Sequence, residues 1–279
     1  MIFGAYYFCD CVQEKKEMTM ERIVSFASGA FDRRSLKIYL CFMSTVFWGL
    51  IFLAWLGYPA ENKYSIMTHT FSFLGSYDLR HSPVWWWIFS LALLFWGLST
   101  FPLVLYIYRH FRKLSLAGAR AGAFFLCLGA FFIILVGIFP DVKTPLTETI
   151  KVTDIHEKVA IIAALGFVLG NFTHGALLLK DRFSKGPQLF RHRYFLPLYS
   201  IWLIILFTAV YFQVKWTFVY AQLKEAARAS GEPFGSSWSE AMNTIYSFPL
   251  WENVLIYTLF IFLVCQALIL SVDGPASDD

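Results

Sequence analysis

Six long apolar stretches alternate with short polar segments along the chain. They lie near Ile38–Gly57, Val84–Tyr108, Leu116–Phe139, Val159–Leu179, Phe195–Val214 and Val254–Val272. Each has about the 20 residues a helix needs to cross a bilayer. The longest connection runs from Lys215 to Asn253. Its first part, Lys215–Ala229, contains neither Pro nor Gly, so the fifth span is predicted to continue outward as a helix. Gly231, Pro233 and Gly235 then break it. The pattern predicts an all-α, polytopic membrane protein built as a six-transmembrane-helix bundle. A tail over residues 1–37 precedes the six-span domain at 38–272, and a short acidic tail over 273–279 follows.

Composition sharpens this reading. Of 279 residues 58% are hydrophobic and only 15% charged, whereas a soluble domain carries about 25% charged residues. The deficit is concentrated in the apolar runs, so it reports spans and not merely a rich core. No signal peptide is expected, because Asp10, Glu14 and Glu17 stand where a basic region and an apolar core belong. Met18 and Met20 offer a later start. Cys41, Cys127 and Cys265 fall inside spans, where a thiol behaves as a small apolar group. Cys9 and Cys11 in the tail have no second ligand pair to complete a metal site.

The basic residues predict orientation. Fifteen Lys and Arg lie in the N-terminal tail and in loops two and four with their flanks, against eight in loops one, three and five. Basic residues near span ends stay on the cytoplasmic side, so both termini are expected there, in the cytoplasmic (plasma) membrane. Trp85, Trp86 and Trp87 open the second span at the opposite face, as an interfacial aromatic belt would. The net charge of +4 is then a cytoplasmic rim facing anionic lipid, and nucleic acid is not an expected partner.

Small residues predict packing. Gly118 and Gly122, Ala119 and Ala123, and Gly166 and Gly170 are each four apart. Such faces let helices approach closely in lipid, which makes spans three and four the expected bundle centre. The Phe-rich spans two, five and six are expected to face lipid.

Two polar clusters carry the candidate chemistry. The first lies in loops one and three. If Tyr64–Asp78 is helical, Ser65, His69, Ser72 and Ser76 form one stripe while Met67, Phe71 and Leu74 form another. Thr68, Thr70 and Ser72 also fit an extended reading. Loop three opens with Pro140-Asp141 and closes with Asp154-Ile-His156-Glu157. Asp154 and Glu157 have capping-box spacing for the start of span four. His156 sits where the positive end of the helix dipole favours neutral imidazole, the form that ligates metal or accepts a proton. His69, Asp141 and His156 are therefore expected to converge, with Ser72 and Asp78 nearby. The convergence reads either as a hydrogen-bonded clasp between the loops or as a metal or acid–base site. No recognised metal-ligand spacing links the three, so no metal is assigned. The second cluster is intramembrane: Thr100, Asn171, His174 and Gln266. Buried polar residues of this kind either hydrogen-bond between helices or line a translocation path.

The run Tyr64–Gly75 with its Phe-Ser-Phe-Leu-Gly core, then Gly137-Ile-Phe-Pro140-Asp141 followed by His156, resembles domain-of-unknown-function family 998. Leu250-Trp251-Glu252 is similar to that family's Leu-x-Glu-Arg feature, with Asn253 in place of the Arg. The likeness spans about Ile38 to Val272. It implies a six-span prokaryotic membrane protein of unassigned activity, distantly similar to the Frag1/DRAM/Sfk1 group linked with lipid handling.

These observations favour a lipid-associated protein that binds or reorganises a headgroup at an extracytoplasmic polar pocket, with membrane lipids as partners. A membrane enzyme acting on a lipid or its headgroup through the His/Asp site is the alternative, and a structural subunit of a larger complex is another. A protein partner would use the N-terminal tail or the 215–253 connection. The sequence specifies no cofactor. Haem is not expected, since bis-imidazole ligation needs paired His at matched depth and only His174 lies well inside a span.

Overall fold

The computed structural model describes residues 25–60, 63–77, 83–147, 149–185, 187–190, 192–230 and 244–273. Six helices carry the chain: α1 (Arg33–Leu56), α2 (Trp86–Phe111), α3 (Leu116–Ile138), α4 (Val152–Arg182), α5 (His192–Ser230) and α6 (Phe248–Asp273). All six are long and apolar enough to cross a membrane, and each coincides with one predicted span. The molecule is an integral multi-pass membrane protein, with no strand among the described residues.

Local chemistry sets the helix ends. Asp32 accepts the Ser35 amide at 2.7 Å and starts α1, and Ser115 accepts the Gly118 amide at 3.2 Å to start α3. α4 begins seven residues earlier than its apolar run. Asp154, in its first turn, reaches back to the Lys151 amide at 2.8 Å. The expected pairing of Asp154 with Glu157 is thereby corrected: Asp154 takes the inner position of the cap, and Glu157 is left exposed on the second turn. α5 has 39 residues. At 1.5 Å per residue it is about 58 Å long, nearly twice the roughly 30 Å hydrocarbon core, so it extends well past the membrane as the Lys215–Ala229 pattern predicts.

The small residues of α3 and α4 make the closest seam in the bundle. A Cβ at Gly166 would stand 2.5 Å from the Gly129 backbone nitrogen, and one at Gly170 would stand 2.6 Å from Leu126. The expectation that spans three and four form the centre needs correction, however. In the most apolar stretch of α2, 56% of residues are buried, against 44% in α4 and 33% in α3. One tight seam uses only one side of α3, and its other side, with Phe124 and Phe131, faces outward. The centre is Trp96 of the Phe-rich α2. Its ring stacks on Phe167 of α4 at 5.5 Å and lies 5.3 Å from Phe47 of α1 and 5.8 Å from Phe260 of α6.

Loop one is not an amphipathic α-helix. It makes a turn at 66–68 and then a 3-10 helix, Phe71–Gly75, that buries Phe71 and Leu74. Gly75 lies against the Phe89 ring, where a Cβ would come within 2.4 Å. Tight winding lets this short segment lay both apolar side chains on the bundle and return its polar groups to the loop end.

Candidate functional site

At the end of the bundle that carries loops one and three, α4 parts from α5 and α6 and leaves a cleft of about 1770 Å³. Ordinary small-molecule pockets measure roughly 300–1,000 Å³. Trp96 and Phe167 form its floor, and Phe89, Ile133, Leu255 and Leu259 are among its apolar walls. Beyond the floor the helices close again, where Trp202 of α5 meets Phe172 of α4 at 5.4 Å between ring centroids. Ile161 lines the cleft and is 60% exposed, so the opening is sideways as well as at the end. The α4 wall runs from His156 to Phe167. Eleven residues at 1.5 Å give a depth of about 16 Å, close to half the roughly 30 Å hydrocarbon thickness.

The mouth holds His69, Ser72, Asp141 and His156, so the structure brings these four predicted residues to one cavity. Asp78 lies outside the described residues. Asp141 ties the loops together: its carboxylate accepts the Ser72 hydroxyl at 2.9 Å and the Thr153 hydroxyl at 2.7 Å. His156, 5% exposed, has its Nδ1 2.7 Å from the Phe139 carbonyl. A carbonyl only accepts, so Nδ1 carries the proton. Nε2 then presents its lone pair, and among the described residues no hydrogen bond reaches it. His69 is packed among Tyr58, Tyr64 and Phe73, with ring centroids 5.5–5.9 Å apart. Its Nδ1 lies 2.8 Å from the Thr68 hydroxyl and receives the Ser65 amide at 3.3 Å. Burial pulls the His69 pKa below its ordinary value. Burial likewise holds the Tyr64 hydroxyl protonated, reinforced by Tyr257 and Glu252.

Among the described residues, no three His, Cys, Asp or Glu side chains come close enough together to hold a metal ion. His69, Asp141 and His156 share a cavity without converging on a point. The geometry therefore favours hydrogen bonding and acid–base chemistry at the mouth over ligation.

Two residues that the sequence reading quoted for the family resemblance, but did not assign to the site, complete the mouth. Glu252 and Asn253 stand in the second turn of α6. The Glu252 carboxyl accepts the Phe71 amide and lines the same cavity as Asp141. Asn253 is fully buried; its amide donates to the His69 carbonyl at 3.0 Å, and its oxygen accepts the Tyr64 hydroxyl at 2.9 Å. Ser247 also donates to the Met67 carbonyl. Loop one is thus read, backbone group by backbone group, by the start of α6. The signal was available, because Glu252 is the only acid between Phe248 and Val272.

The intramembrane cluster is buried but forms no common network. The Thr100 hydroxyl bonds back to Trp96 in its own helix at 2.8 Å. Gln266 donates to the Tyr199 hydroxyl of α5 at 2.9 Å, the one interhelical bond of the set. His174 stacks on Phe111 at 4.3 Å and lies against Gly122, where a methyl group would collide with Nε2. Neither of its ring nitrogens has a hydrogen-bond partner among the described residues, and the same holds for both polar atoms of Asn171.

No family model, curated protein or solved structure matches the chain.

Proposed function

We propose that the chain binds a membrane lipid, with one acyl chain in the cleft and the headgroup at the mouth. The observation that carries this reading is the cleft itself. Its α4 wall is apolar below His156 and Glu157 over a depth of about half a bilayer, it is open to the side at Ile161, and His69, Asp141, His156 and Glu252 stand among its polar lining residues. On α4 the wall includes Ala160 and Ala164, four apart. Small residues at that spacing ordinarily admit a neighbouring helix; here they line the cleft. By the charge rule this mouth belongs to the extracytoplasmic leaflet.

Ala164→Trp tests the proposal by filling the cleft while leaving the mouth intact. Lipid retained by protein purified in mild detergent is counted by mass spectrometry. About one lipid per wild-type chain and a clear loss in the variant is the expected result. Equal retention by the two proteins, or none by the wild type, overturns the reading.

A second reading, an enzyme acting on the bound headgroup, draws on one observation: His156 presents an acceptor nitrogen to the mouth beside two carboxylates. Its test is turnover of a headgroup-labelled lipid in reconstituted vesicles, compared with His156→Gln.

A further inference from the structure

Resting on the lipid reading, we infer that the stacked pair Trp96–Phe167 sets the length of the bound acyl chain, so that the cleft prefers lipids whose chains end at that floor. The two rings lie 10° from parallel with centroids 5.5 Å apart, and both line the cavity.

Such a ruler needs a stop that is closed, rigid and at a set distance from the headgroup. Closure shows in how exposure falls with depth. Ile161, about halfway down the α4 wall, stands outward at the lateral opening, Ala164 is partly exposed, and Phe167 is 1% exposed. Leu93, Trp96, Ala163 and Leu259 also line the cavity and are exposed by no more than 3%. The cleft is therefore open to the bilayer above and blind at its base. Rigidity comes from the neighbouring helices. The Phe167 ring rests on Gly129 of α3, where a Cβ would stand 3.0 Å from it. Trp96 is wedged against Phe47 of α1 and Phe260 of α6, and Gly97 beside it leaves room for the Ala130 carbonyl of α3. In a close-packed interior neither ring steps aside without moving a helix. One turn beyond Phe167 stands Asn171, fully buried and with neither amide atom partnered among the described residues. What lies behind the floor is thus a polar group, a poor neighbour for a methyl end.

The distance fixes the length. With carbon–carbon bonds of about 1.5 Å and angles near 111°, an extended chain advances about 1.25 Å per carbon. The α4 wall from His156 to Phe167 measures about 16 Å, which takes roughly 13 carbons. The upper end is held by loops one and three, tied together at Asp141. A shorter chain leaves the floor rings without contacts. A longer one must turn its excess out past Ile161 or lift its headgroup off the mouth.

The test is a competition within one headgroup. Full-length protein in mild detergent is offered equal amounts of lipids with two identical saturated chains of ten to eighteen carbons, in steps of two. One series is phosphatidylethanolamines and a second is phosphatidylglycerols, and bound lipid is identified by mass spectrometry. Each profile is divided by that of Ala164→Trp, in which the cleft is filled, so that partition into micelles cancels. Chains of twelve to fourteen carbons are expected to be enriched about tenfold over those of eighteen, the equivalent of roughly 1.4 kcal/mol and comparable with forcing extra methylenes into a packed site. Ala164→Leu, three residues above the floor, is expected to move the maximum down by about two to four carbons. Phe167→Ala is expected to move it up, and Phe131→Ala, on the outward face of α3, to leave it in place. Ala164→Leu adds to a partly exposed wall, so it decides the matter if Phe167→Ala does not fold. A wild-type profile that is flat or rises steadily to eighteen carbons overturns the ruler and leaves the lipid reading standing. So does a maximum that stays put in folded Ala164→Leu or folded Phe167→Ala, or that moves equally in Phe131→Ala. Absence of bound lipid in both series removes the lipid reading itself, and this inference with it.

Discussion

Replacing Asn253 by Leu separates a loop that is merely near α6 from one that is fastened to it. Leu keeps the approximate volume, so no large cavity is opened and the effect is polar. Two groups lose a partner: the His69 carbonyl, 3.0 Å from Nδ2, and the Tyr64 hydroxyl, 2.9 Å from Oδ1. The third bond, from Nδ2 to Pro249, links neighbouring turns of α6 and is the least important. A buried polar group left without a partner costs about 1–3 kcal/mol. The Tyr64 hydroxyl keeps a long contact to the Thr70 carbonyl at 3.4 Å, so its loss is partial. Together the substitution should destabilise the fold by about 2–4 kcal/mol, toward the lower end if the unfolded chain finds partners in the membrane. Tyr64→Phe alone should cost about 1 kcal/mol. Because the two residues share one bond, the double variant should fall short of the sum by a coupling energy on the order of 1 kcal/mol. Reversible unfolding in mixed micelles measures all four corners of the cycle. A Leu variant within about 0.5 kcal/mol of wild type, the range of an ordinary surface change, would refute the fastening. So would strict additivity with Tyr64→Phe.

Other expectations follow from the same contacts. Gly166→Ala should destabilise by about 1–3 kcal/mol through overpacking, because its Cβ would press on the Gly129 backbone. Gly49→Ala, where nothing lies within 4 Å, should stabilise by up to about 1 kcal/mol; thermal unfolding compares the two. His69 has a pKa below its ordinary 6.5, so as pH falls below that value the unfolded chain takes up protons before the folded one. Stability should therefore decline from pH 6.5 downward until the folded ring also titrates, and His69→Gln should flatten that part of a stability-against-pH curve. Cysteines at Thr147 and Ser184 should label from opposite sides of the membrane, Thr147 from outside in intact cells. The reverse pattern would invert the proposed leaflet.

What the sequence discloses here follows the range of the forces involved. The six helices are legible because a bilayer imposes one local demand, about 20 apolar residues in a row, and each run answers it without reference to the others. The α3–α4 seam is legible for a related reason: Gly118, Gly122, Gly166 and Gly170 record close approach as missing side chains. The centre at Trp96 is not, since a large aromatic ring reads the same whether it meets Phe47, Phe167 and Phe260 or meets lipid. The mouth is intermediate. His69, Asp141 and His156 could be assigned to one side by charge and sequence order alone, whereas the fastening of loop one by Asn253 and Glu252 joins segments about 180 residues apart, a pairing that no local period encodes.

That same long-range fastening explains how an open cleft persists. With α4 bound to α3 along a glycine seam and α6 bound to loop one through Ser247, Glu252 and Asn253, each wall is held from behind. Neither wall needs the other for its polar groups or its backbone. In water such a gap between apolar walls would close, because contact would release water from both faces. In a bilayer the gap is lined by surfaces that lipid already wets, and closing it gains only packing contacts. Ala160 and Ala164 offer little surface for those contacts, and Ile161 stands outward at the rim. In the proposed lipid reading an acyl chain would supply the contacts that collapse would otherwise supply, while Asp141 and Asn253 fasten the loops at the entrance. The clasp and the candidate site therefore share their parts: the hydrogen bonds that fasten loops one and three to the helix ends join the segments that bring Asp141, His156 and Glu252 to one cavity.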